Sequence, residues 1–438
     1  MSNIKNIHKR ILSNSSWLVG DKTLSSIFAA LQTVIVARIL GVEQYGLLVL
    51  VIAYIDLLNR LVDFRMWETA TKYIGTFWET GDLERTQSMI KLSYLVDVLS
   101  GILAFVIAIL TATLISKYVI KTPEAYKYVW IYSFTLLMGT SSSTSISILR
   151  IFNKFRLIAI IRSSQNFFRL LFVTVLLVFG FGINGVLYGL VIASILGFIM
   201  RISMVIKILN EYELGGWWKS KIGLVRDHIK GITWFVFNTN IAGTIKMGEE
   251  KSLGILILGY LVGKDAVAYY KIATSAAKIL NYIIGPLYES IYPEFIKIKS
   301  QNILNTIKPL IKKMTITFLK IGIPLAILII FFSDMIIEVV YGKSYLPSAN
   351  ALKIIAVAAV IDGLTFWNAP VLLAMGKPGL RTIINLIAVI FYLILLVVLV
   401  PLYSFMGAAY AFLGFVVLKT SLSLFILQSS YFGLLLNK

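Results

Sequence analysis

Val36-Ala37-Arg38-Ile39-Leu40-Gly41-Val42-Glu43-Gln44-Tyr45-Gly46 closes the first long apolar run of the chain, and Val262-Gly263-Lys264-Asp265-Ala266-Val267-Ala268 closes the seventh. The two glycines stand 222 positions apart. The same offset relates Gly185 and Tyr188 to Gly407 and Tyr410, and Lys154 and Lys377 lie 223 apart. Three matches in order at nearly one offset indicate an internal duplication. Six apolar runs separate the paired positions, an even number, so both copies keep one orientation, as in transporters built from parallel repeats.

Outward from these motifs the chain is apolar almost throughout. Of 438 residues, 58% are hydrophobic and 14% charged, with mean hydropathy +0.86, far above a water-soluble enzyme. At about 20 residues per crossing, twelve spans take roughly 240 positions and leave short connections. Runs between charge, Pro and Gly breaks place their centres near Phe28, Leu57, Leu103, Leu137, Val173, Ile195, Ala242, Ile279, Leu325, Val360, Ile390 and Phe415. The first run is about twice as long as a signal-peptide core, so it reads as an uncleaved helix. With no cysteine and only His8 and His228, disulfides, thiolate chemistry and Cys- or His-cluster metal sites are excluded, and no metal or cofactor is expected.

The 41 Lys+Arg against 21 Asp+Glu give a net +20. Summed over alternate connections, about 25 basic residues fall on one side and 7 on the other, which places both termini in the cytoplasm. Nucleic acid is not needed to explain the charge. The longest polar connection, 211–230, carries Trp217, Trp218, Lys219, Lys221, Arg226 and Lys230 and reads as an interfacial linker. The expected fold is therefore an all-α membrane protein of about twelve helices, with two six-helix lobes, 1–210 and 231–438, flanking a central cavity.

Ionisable residues at bilayer depth are expensive unless they face protein or water. The first span holds Asp21 and Lys22, and the second holds Asp56, Arg60 and Asp63 on one helical face. The seventh holds Lys246, Glu249, Glu250 and Lys251, and Lys278 follows in the eighth. Asp97, Arg169, Lys353, Asp362 and Lys419 are further isolated charges. A water-filled cavity holding Lys22, Arg60, Lys246, Lys251 and Lys278 suits an anion such as phosphate or diphosphate. The carboxylates Asp21, Asp56, Asp63, Glu249 and Glu250 are candidates for ion or proton coupling, since partial desolvation favours a neutral carboxyl.

Ser16-Trp17-Leu18-Val19-Gly20-Asp21-Lys22, the Ala-Arg-x-Leu-Gly-x-x-x-Tyr-Gly pattern from Ala37 to Gly46, and Leu149-Arg150-Ile151-Phe152-Asn153-Lys154-Phe155 resemble bacterial oligosaccharide flippases of the O-antigen, capsule and exopolysaccharide pathways (Wzx type). These form the polysaccharide-export branch of the multidrug/oligosaccharidyl-lipid/polysaccharide exporter superfamily. The resemblance implies a plasma-membrane protein that moves polyprenyl-diphosphate-linked oligosaccharide from the cytoplasmic to the outer leaflet. It further implies a polysaccharide polymerase and a chain-length regulator as partners. The five cations map onto that expectation by type and depth, and only Asp21 and Lys22 lie within a motif. Asp63-Phe64-Arg65-Met66-Trp67-Glu68 departs from the glycine-rich sequence many members carry there.

Two other functions compete. A cation-coupled multidrug or small-molecule exporter of the same fold calls for a more acidic or apolar cavity. A membrane polymerase or glycosyltransferase calls for a large outer loop or a soluble domain with carboxylates for sugar chemistry. The short outer connections disfavour that enzyme.

Overall fold

The computed structural model describes residues 2–64, 66–237, 251–280, 295, 298, 306–374 and 378–428. Among them the secondary structure is helical, with no strand. In chain order the helices are α1 (Ser2–Val62), α2 (Met66–Glu79), α3 (Leu83–Tyr118), α4 (Tyr126–Gly139), α5 (Ser142–Ile151), α6 (Phe155–Val178) and α7 (Gly182–Glu211). They continue with α8 (Lys251–Leu261), α9 (Lys264–Ala277), α10 (Ile307–Phe331), α11 (Ser333–Tyr341), α12 (Ser348–Gly363), α13 (Asn368–Ala374) and α14 (Pro378–Gln428). Among the described residues seven stretches are long and apolar enough to cross a membrane, including Leu83–Tyr118, Gly182–Glu211 and Ile307–Phe331. Their outward faces carry Leu99, Leu103, Leu110, Ile199, Ile327 and Val397, all largely exposed, as lipid-facing surfaces require.

Seven long stretches accommodate more than seven crossings, because the two longest helices are broken. α1 has 61 residues, about 90 Å at the helical rise and roughly three bilayer cores, with a break at Gly41 (φ 73°, ψ 177°). α14 is broken at Ser404 (φ 56°, ψ −136°). The expected span centres Phe28 and Leu57 flank the first break, and Ile390 and Phe415 flank the second. The centre near Ala242 lies outside the described residues, and Ile279 sits in a short 3-10 turn after α9.

Backbone geometry repeats with the sequence. Gly41 and Gly263 both combine positive φ with extended ψ (126° and −177° at Gly263), a conformation L side chains avoid. A Cβ on Gly185 would lie 3.1 Å from the Leu176 carbonyl oxygen, and one on Gly407 would lie 2.1 Å from that of Leu399. Each Gly-x-x-Tyr therefore marks a helix start packed against the end of the helix before it. At the next pair of equivalent positions Gly182 and Ser404 share φ 56°. Only the second copy strains a side chain there, so S404G is expected to stabilise the protein by about 1 kcal/mol. A melting temperature that fails to rise would show that the serine is unstrained.

The chain divides into two compact units, Met1–Leu40 with Val51–Thr244, and Gly41–Leu50 with Ile245–Lys438. The first unit is centred on Met66, Ile74, Met89, Ile90, Leu149 and Leu209, all under 2% exposed. In the second, Phe295, Ile307, Phe318, Trp367 and Val371 form a buried cluster. Two features differ from the sequence-based division. Residues 41–50 group with the second unit, where Tyr45 meets Tyr345 edge to face at 6.2 Å and Glu43 pairs with Lys264 at 2.6 Å. The expected linker 211–230 is also docked on α3. Lys91 Nζ donates to the Ser220 carbonyl (2.8 Å), Ser88 Oγ to that of Lys221 (3.0 Å), and Trp217 stacks beside Tyr94 at 5.0 Å. Its backbone carbonyls satisfy polar side chains at the start of α3, which an isolated linker would leave to water.

Candidate functional site

In each unit a helix is interrupted behind a glycine, and the interruption opens a polar cavity. In the first unit α4 ends at Gly139 and α5 begins at Ser142. In the second, α12 ends at Gly363 and α13 begins at Asn368, 224 positions after the first glycine. Such a break leaves backbone N–H and C=O groups without helical partners, and within a membrane they must be satisfied by protein or by a wet cavity.

At the first break two charged side chains from other helices do this. Asp97 of α3, 4% exposed, accepts from the Thr144 backbone N–H (3.0 Å) and its hydroxyl (2.6 Å), both through Oδ2. The carboxylate thus sits at the positive, N-terminal end of α5. Arg201 of α7, 6% exposed, donates through Nη2 to the Met138 carbonyl (2.8 Å) at the end of α4 and through Nη1 to Gln165 Oε1 (3.3 Å). A guanidinium at a helix C-terminus is the complementary arrangement. The adjoining cavity of about 380 Å³ is lined by Asp63, Asp97 and Arg201 with Ser, Thr, Asn and Gln side chains.

The second break is arranged differently. Thr420 Oγ1 donates to the Ile361 carbonyl (3.2 Å) and Trp367 Nε1 to that of Leu364 (2.8 Å). Lys419 Nζ is ion-paired with Asp362, and this pair lies in the walls of two cavities of about 200 and 220 Å³. One also holds Arg381, Asn385 and Asn368; the other holds Lys278 and Thr274. Three cations and one carboxylate therefore gather around this break, a setting in which phosphate oxygens gain charge-assisted hydrogen bonds.

The residues expected from sequence are distributed as follows. Lys278 lines one of the second-unit cavities, and Asp63 lines the first-unit cavity. Asp21 is 5% exposed and bound within the first unit. It accepts from Ser163 (2.9 Å) and Ser25 (3.1 Å), lies 3.9 Å from Arg162, and so ties α1 to α6. Lys22 and Arg60 are exposed and Asp56 is half-buried; none of the three lines these cavities. Lys246, Glu249 and Glu250 fall outside the described residues, and Lys251 begins α8. Asp97, Arg201, Asp362, Lys419 and Arg381 were not among the expected site residues. Their signal was a lone charge in an apolar run, and for the first break the hydroxyl run Thr140-Ser141-Ser142-Ser143-Thr144-Ser145.

Residues 35–350 match the family model described as polysaccharide biosynthesis protein. The inner membrane protein YghQ of Escherichia coli K12 is 24% identical over 346 residues, 78% of this chain and 96% of that protein. A putative O-antigen transporter of Shigella flexneri is 23% identical over 35% of this chain and 36% of its own length. Two solved structures share the fold. They are an inward-facing multidrug resistance MATE family transporter of the MOP superfamily (TM-score 0.77, 12% identity, 94% of this chain and 96% of that one) and the lipid II flippase MurJ (TM-score 0.73, 19% identity, 93% and 87%).

Proposed function

The chain belongs to the polysaccharide biosynthesis protein family, and from that membership we propose that it is a flippase. It moves a polyprenyl-diphosphate-linked oligosaccharide across the plasma membrane, with both termini in the cytoplasm, and performs no covalent chemistry. Lys278, Lys419 and Arg381 around the α12/α13 break support the assignment, because three cations gathered in cavity walls suit the oxygens of a lipid diphosphate. Asp362 holds Lys419 in the absence of substrate and yields it to phosphate oxygens when substrate arrives. The relative named as an O-antigen transporter supports the same substrate class. Among the described residues expected to couple ions, Asp63 lines the α4/α5 cavity and is the coupling candidate.

Loss of the gene should leave lipid-linked repeat units on the cytoplasmic face, measured by protease- or glycosidase-protected labelling in spheroplasts. Units that reach the outer face normally but fail to lengthen would instead identify this chain as a polymerase. Altered drug efflux with normal glycan would identify an exporter of small molecules.

A further inference from the structure

Building on the flippase reading, we propose that the cavity at the α4/α5 break is a subsite for an uncharged sugar unit of the substrate. Its volume of about 380 Å³ lies at the lower end of the range for small-ligand sites. Asn59, Ser100, Thr135, Ser143, Gln165 and Ser194 contribute hydroxyl and amide groups to its wall. Ser100, Thr135 and Ser194 donate their hydroxyl hydrogens to backbone carbonyls and so present acceptor lone pairs, which suit the hydroxyl donors of a sugar.

Two charged groups supply direction. Arg201 is 6% exposed and lines the cavity, and its Nε–H is buried with no hydrogen-bond partner although both Nη atoms are engaged. A buried donor of this kind calls for an acceptor, which a sugar ring or hydroxyl oxygen provides. Asp97 uses Oδ2 for both Thr144 bonds, so Oδ1 remains to accept from a hydroxyl. The charges do not favour an anion: Asp97 and Arg201 bring one acidic and one basic group to the wall, so a phosphate or a uronic acid gains little net attraction here. At the corresponding break of the second unit three cations stand against one carboxylate. Diphosphate and sugar are the two polar parts of the substrate, and the duplicated breaks differ in charge in that same sense.

The absence of native cysteine provides a direct test. S143C and S194C are made singly in the full chain, reconstituted in phospholipid nanodiscs, and alkylated with a maleimide in the presence of glucose, N-acetylglucosamine, glucuronate or inorganic diphosphate. A359C, in the wall of the Lys278 cavity, is the comparison. A neutral sugar at about twice its Kd should slow labelling of S143C and S194C roughly threefold, with no effect of diphosphate there. R201Q should abolish that protection. Protection by diphosphate or glucuronate in place of neutral sugar overturns the proposal. So does equal labelling with and without every sugar, or no labelling at either position, which would show the cavity closed to water. These outcomes are separate from the flippase reading. Lipid-linked units accumulating after gene loss, with S143C and S194C unprotected, would remove the subsite alone.

Discussion

The double variant K419Q/D362N is expected to fold like the parent and to export glycan about 10- to 100-fold more slowly. Lys419 and Asp362 are ion-paired, with side chains 21% and 37% exposed. K419Q alone strands the carboxylate among α12 and α14 side chains. Breaking a fully buried pair costs about 3–5 kcal/mol. Partial hydration of this one reduces the loss to about 2 kcal/mol. Neutralising both members removes that loss, so the melting temperature of the double variant should return to the parental value. Export should not return with it, because the ammonium that would engage phosphate is gone. A charge-assisted hydrogen bond contributes about 1.5–3 kcal/mol, which converts to the stated factor. Parental export by the double variant would reduce the pair to a registry device and remove Lys419 from the diphosphate site.

G46A is expected to destabilise the protein by about 3 kcal/mol, the upper end for overpacking. A Cβ on Gly46 would stand 2.0 Å from the Lys264 carbonyl oxygen and 2.7 Å from its carbonyl carbon. Both sides of that contact are backbone, at the first turn of α9, so no rotamer change relieves it. The comparison is G20A. Gly20 is helical with nothing within 4 Å of its would-be Cβ, and alanine there should be neutral or mildly stabilising. Thermal melting of both variants in one detergent checks the pair. Equal melting temperatures would show that the α1 segment after Gly41 does not approach α9 as closely as described. This contact also accounts for the Tyr45-Gly46 end of the motif: Tyr45 is 4% exposed against Tyr345, and Gly46 admits the neighbouring backbone. The motif is a packing device of the second unit.

The candidate site was legible only in part. Lys278 and Asp63 were identified from charge at depth, and both line cavities. Asp21 was identified by the same rule, yet its hydrogen bonds to Ser25 and Ser163 make it part of the α1/α6 contact. Depth can be counted along a chain from a paired glycine, whereas the direction a helix face turns depends on its neighbours. Asp97 and Thr144 lie 47 residues apart, and no local spacing announces that one caps the helix of the other. The Thr140–Ser145 hydroxyl run is a local signal that went unread: Ser and Thr side chains offer the backbone partners outside a regular helix.

By itself the sequence determined the membrane setting, the order of the apolar runs and the duplication. Bilayer thickness fixes the length of a crossing, and a helix break at Gly41 or Gly263 needs a residue that tolerates positive φ. Tertiary structure decided where the charges meet. Helix interruption at Gly139 and Gly363 leaves backbone groups to be satisfied, and side chains distant in sequence satisfy them. Asp97 and Arg201 close one break, and Lys419 and Asp362 line the other, because packing brings those helices together. The result is a hydroxyl-rich cavity in one copy of the repeat and a cationic one in the other.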